Sequence, residues 1–108
     1  MIQVSDTRVV SPDPRQALNA VRTLRGITAR LGLPDGVRSE ACGELEQIEK
    51  EIRMPDPDHG VVTAHLERFT EILAGAGVDM TRRSLIRSIR QIAVWLGPIG
   101  VPLVLHLA

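Results

Sequence analysis

The sequence predicts an all-α protein: a four-helix bundle built from two αα-hairpins, with a short apolar fifth helix or turn at the C-terminal end. Three observations predict it. Apolar residues recur at steps of three and four in four separate stretches. Proline, aspartate and threonine start signals precede these stretches, and glycines follow them. Outside the first ten residues no run alternates with the period of two that a strand requires, and no Asn-Gly hairpin turn occurs. A length of 108 residues suits one domain. It divides into an N-terminal arm over 1–12 and a helical bundle domain over 13–108. Phe69 and Trp95 are the only aromatics, so the core must be aliphatic.

The first helix is expected at Asp13-Pro14, with Asp13 as cap and Pro14 at the first helical position, where its missing N–H was unpaired anyway. Ala17, Leu18, Val21, Leu24, Ile27, Thr28 and Leu31 follow at helical spacing, and Gly32 can end the helix in the left-handed conformation. Gly26 costs about 1 kcal/mol relative to alanine inside a helix; close approach of another helix is one use for it. A turn at Leu33-Pro34-Asp35-Gly36 opens a second helix over about 37–54. Its stripe is Val37, Ala41, Leu45, Ile48 and Ile52, with Cys42 beside it as a small core residue.

For the third helix, Asp56 is expected to cap, Pro57 to take the first position and Asp58 to favour the positive helix end. Val62, Leu66, Phe69 and Leu73 face inward, and Gly75-Ala76-Gly77 stops the helix near Ala74. Asp79 or Thr81 is expected to cap a fourth helix with Leu85, Ile86, Ile89, Ile92, Ala93 and Leu96 inward. Gly97-Pro98 interrupts it, since proline cannot continue the hydrogen-bond ladder, and Pro102 can open a last short turn.

The two helix pairs resemble each other under a shift of about 43 residues, Asp13-Pro14 falling on Asp56-Pro57 and Gly32 on Gly75. Their charges differ in sign. Residues 36–58 carry three bases and seven acids, whereas residues 80–108 carry four arginines and no acid. Glu40 and Glu44 share one stripe of the second helix, and Arg83, Arg87 and Arg90 one stripe of the fourth. The two stripes can face each other within one bundle or between two copies, choosing orientation and partner more than supplying stability.

Residues 92–108 hold no Asp, Glu, Lys or Arg. A membrane anchor would need about 20 apolar residues; here two prolines, two glycines and His106 break a shorter run. The segment therefore reads as the last element of the core, as a contact surface for another copy, or as both. Trp95, Leu96, Ile99, Val101, Leu103 and Leu105 are the expected interface residues, with Trp95 the anchor.

The chain is balanced at thirteen bases and thirteen acids, which counts against nucleic acid, usually met by a basic excess. Net neutrality also eases self-association. A lone Cys42 allows no internal disulfide, and no leader-like start is present, so a reducing cytoplasm is the expected location. His59 and His65 are six apart and share no helix face, no Glu-x-x-His occurs and no second cysteine exists, so neither a metal site nor another cofactor is expected. His65 reads as half-buried structure. No nucleophile–base pair emerges, and an enzyme is not expected.

The Asp13-Pro14-Arg15 start, the Glu-rich second helix and the Arg83-Ser84-Leu85-Ile86 run leading to Gly97 and Gly100 resemble small helical proteins and accessory domains of high-GC actinobacteria. The resemblance implies a bacterial, cytosolic helical module and carries no active-site residues across. The expected function is a non-enzymatic protein–protein interaction module that forms a homodimer or higher oligomer through its apolar C-terminal segment. Another protein is a further candidate partner. The first alternative is a DNA-binding regulator in which the Arg-rich fourth helix follows the third in helix-turn-helix order; the second is a membrane-associated small protein.

Overall fold

A computed structural model describes residues 14–97, which form four helices: α1 (Pro14–Arg30), α2 (Asp35–Ile52), α3 (His59–Gly75) and α4 (Arg83–Leu96). No strand occurs among the described residues. The arm over 1–12, the Asp13 cap and the fifth element near Pro102 lie outside them.

Each helix buries most of the face its spacing marks, although Ile86, expected inward on α4, is only half-buried. Ala17, Ala20, Val21, Leu24, Ile27 and Thr28 are buried on α1, and Leu18 and Leu31 pack at the margin. The buried Thr28 hydroxyl donates to the Leu24 carbonyl at 2.7 Å, which satisfies the one polar group this face carries inward. On α2, Ala41, Leu45, Ile48 and Ile52 are buried and Val37 packs at the margin. Val62, Leu66, Phe69, Thr70 and Leu73 are buried on α3, and Leu85, Ser88, Ile89, Ile92, Ala93, Trp95 and Leu96 on α4. Cys42 is half-buried.

The boundaries depart from expectation where several start signals compete. Helix α2 begins two residues early, because the Pro34 carbonyl already accepts from Arg38 N–H at 2.9 Å. Asp58, rather than Asp56, caps α3: its carboxylate accepts from Gly60 N–H at 2.9 Å and Val61 N–H at 3.3 Å, the reach a cap requires. The Asp58 N–H is itself held by Glu51 Oε2 at 2.9 Å, so Pro57 stays outside the helix. Neither Asp79 nor Thr81 caps α4 through a side chain. Asp79 Oδ1 accepts from both the Thr81 N–H and its hydroxyl, forming a turn one residue before the half-helical Arg82.

The stops follow the glycines. Gly32 is left-handed after α1, at φ 71°. After α3, Val78 N–H reaches the Leu73 carbonyl and Gly77 N–H the Ala74 carbonyl, both at 3.0 Å, with Gly77 at φ 85°. This is the paired closure that ends many helices and favours glycine at its left-handed position. Gly26 serves no close helix contact: a Cβ there would meet only the Arg30 guanidinium of its own helix.

Helix α1 packs on α2 and α4, and α2 packs on α3, whereas the backbones of α3 and α4 have no extensive contact. The order around the bundle is thus α4–α1–α2–α3. The second expected hairpin, α3 with α4, is not a closely packed pair, because α4 turns to α1 instead. Large side chains bridge the α3–α4 seam, where the His59 and Trp95 rings lie 4.4 Å apart between centroids. That contact joins the start of α3 to the end of α4, so the two helices run in opposite directions.

Candidate functional site

The helix order sorts charge in a way the linear sequence does not show. Helices α1 and α4, packed together, carry seven arginines and no carboxylate. Helices α2 and α3, also packed together, carry eight carboxylates against Arg38, Lys50 and Arg68. One side of the molecule is basic and the other acidic.

At the seam between α1 and α2 the two signs meet. Glu49 bridges Arg25 at 3.0 Å and Arg53 at 2.8 Å. Within the acidic side, His65 of α3 lies against Glu44 of α2, Nδ1 to Oε1 at 2.6 Å. Arg68 Nη1 also approaches His65 Nδ1, at 3.3 Å, beside Glu44 Oε1. Arg68 Nη1 stands 3.7 Å from the same oxygen and adds charge to the pair. His65 and Glu44 are both about four-fifths buried at the side chain, and together with Arg68 they tie α2 to α3. Nothing in the sequence alone pointed to this pairing, because it depends on which helices are neighbours.

The stripes expected to face one another do not do so within the bundle. Glu44 is engaged with His65, Glu40 is exposed, and Arg83, Arg87 and Arg90 are exposed on the outer face of α4. Among the described residues no carboxylate forms an ion pair with these three arginines. Helices α2 and α4 are not extensively packed on each other, with α1 between them in the helix order.

The expected interface residues divide. Trp95 and Leu96 lie in the monomer core, 6% and 2% exposed, because their spacing from Leu85, Ile89 and Ile92 returns them to the buried face of α4. Ile99, Val101, Leu103 and Leu105 lie outside the described residues. What α4 does present is Val94, 62% exposed. The other large apolar side chains exposed among the described residues are Met54 and Val61. Met54 follows α2, Val61 opens α3 and Val94 lies near the end of α4; with the His59–Trp95 contact joining the start of α3 to the end of α4, all three lie toward one end of the bundle. Gly97, at φ 72° and ψ −139°, a conformation open to glycine almost alone, leads the chain out of α4 at this same end.

At the opposite end, the α1–α2 and α3–α4 connections enclose a shallow cleft of about 340 Å³ between Leu33, Pro34, Gly77, Val78 and Arg82. The Thr81 hydroxyl and backbone bonds, helped by the nearby Arg82 charge, hold Asp79 below the usual carboxylate range. No cluster of three metal-ligating side chains occurs among the described residues. None of their helices is long and apolar enough to cross a membrane. The α3–α4 connection occupies residues 76–82, longer than the three- to four-residue turn of a helix-turn-helix.

No family model, no curated protein and no solved structure matches this chain.

Proposed function

We propose that this chain is a non-enzymatic protein–protein interaction module, a four-helix bundle that associates with itself at the end where α4 finishes. The observation that carries the reading is the exposure of Met54, Val61 and Val94 toward that end, where the sequence continues into a segment without a single acid, lysine or arginine. Exposed apolar side chains that cluster mark contact sites more often than scattered ones do. Trp95 and Leu96 are buried in the core at this end, and the charge-free run that follows in sequence carries the apolar Ile99, Val101, Leu103 and Leu105. A net charge of zero leaves little long-range repulsion between copies.

Light scattering on the full chain and on a Met54→Ser, Val61→Ser, Val94→Ser variant tests the reading. All three positions are exposed, so the variant keeps its helical content. The full chain is expected at a multiple of 11.8 kDa, and the variant is expected to shift toward the monomer. A full chain that stays monomeric at tens of micromolar overturns the proposal.

A further inference from the structure

We infer that the copies associate side by side in a head-to-tail sense, with the Arg87–Arg90 face of α4 in one copy seated on the Glu67–Glu71 face of α3 in the next. The inference rests on the self-association just proposed and names its second contact. Three observations carry it.

The first is availability. Arg87 and Arg90 on α4, and Glu67 and Glu71 on α3, are all exposed, and none has an ion-pair partner within its own chain among the described residues. The remaining carboxylates of the acidic side include several already engaged: Glu44 with His65, Glu49 with Arg25 and Arg53, and Asp35 with Arg38.

The second is geometry within the chain. Helices α3 and α4 stand at the two ends of the order α4–α1–α2–α3 and have no extensive contact with each other. Both outward stripes are therefore free to meet another molecule. The basic surface of one copy has no counterpart of opposite sign on its own α4–α1 side, yet every copy carries that counterpart on α3.

The third is register. At a rise of about 1.5 Å per residue, Glu71 lies about 6 Å and Glu67 about 12 Å from the last residue of α3. From the first residue of α4, Arg87 lies about 6 Å and Arg90 about 10.5 Å along the axis. The helices run in opposite directions, so an offset of the two copies that brings Arg87 beside Glu71 also brings Arg90 beside Glu67. The same placement sets Val94 of one copy beside Ala64 of the next, each about 16.5 Å along. It also keeps the apolar ends of neighbouring copies together, joining the two contacts in one assembly. Different patches meet in such a contact, so it is heterologous and builds a ring if the rotation closes and a filament if it does not.

Charge exchange in the full-length chain tests this by sedimentation velocity. Arg87→Glu with Arg90→Glu, and separately Glu67→Arg with Glu71→Arg, should each weaken association by about tenfold or more, since like charges then face each other across the contact. Carrying all four exchanges in one chain should restore association to near the wild-type level. Circular dichroism shows that each variant is folded, and a salt titration of the wild type, which needs no substitution, should weaken the assembly as well. If the wild type assembles and the charge exchanges and salt leave it unchanged, this inference fails while self-association through the apolar end stands. If the wild type is monomeric, both fail. If the arginine exchanges leave assembly intact but abolish binding to a DNA duplex, the arginine face serves nucleic acid and the inference is overturned.

Discussion

Replacing Trp95 with alanine separates a core role from an interface role for the only tryptophan in the chain. Its side chain is 6% exposed and lies against the His59 ring at 4.4 Å. A buried tryptophan removes roughly 150–250 Å² from water, which at about 25 cal/mol per Å² corresponds to roughly 4–6 kcal/mol. Partial collapse of the cavity brings the expected loss to about 3–5 kcal/mol. For a domain of this size that lowers the melting midpoint by more than about 12 °C, at roughly 4–8 °C per kcal/mol. Urea unfolding followed by far-UV circular dichroism measures it, run at two protein concentrations. A loss of that size, independent of concentration, is expected. Trp95→Phe keeps most of the apolar volume and should lose clearly less. An alanine variant within about 1 kcal/mol of the wild type refutes the burial argument, because a surface substitution typically stays within about 0.5 kcal/mol. A loss that appears only at the higher concentration would place Trp95 between copies instead.

Four further outcomes follow from single contacts. Gly26→Ala should stabilise the fold by about 0.5–1 kcal/mol in thermal melts, since the added Cβ meets only the flexible Arg30 end at 3.5 Å and the helix gains propensity. Asp58→Ala should cost about 1 kcal/mol through loss of the α3 cap, whereas Asp56→Ala should cost little; urea midpoints distinguish them. Glu49→Gln should lower stability by no more than about 1 kcal/mol at low salt, with the difference shrinking as salt is added, because Arg25 and Arg53 are half-exposed. Asp79→Asn should destabilise at neutral pH, and the difference should vanish in acid: a carboxyl held below its ordinary range adds stability above that range and loses it as the pH falls through the lowered value. A difference that persists unchanged well below pH of about 4 contradicts this.

The helices were legible in the sequence because local signals agreed. The apolar steps on α1 and α2 coincide with the buried Ala17, Val21, Leu24, Ala41, Leu45, Ile48 and Ile52, and Gly32 and Gly77 fall at left-handed positions. The start of α3 was not legible, because Asp56, Pro57 and Asp58 all carry start signals. The bonds from Gly60 and Val61 N–H to the Asp58 carboxylate, with Glu51 holding the Asp58 N–H, show which one is used. The burial of Trp95 is written in its spacing from Ile92 and Leu85, although the charge-free run it belongs to also fits an exposed contact surface. What sequence could not supply is neighbourhood. The sign of each helix's charge is plain from composition, yet the basic and acidic sides exist only because α4 packs on α1 and α3 on α2. The Glu44–His65 pair and the Arg25–Glu49–Arg53 bridge depend on the same packing.

Sedimentation equilibrium of the full chain across a broad concentration range measures self-association most directly. The expected result is a mass that climbs from 11.8 kDa to a multiple of it as concentration rises. A mass fixed at the single-chain value throughout would contradict it.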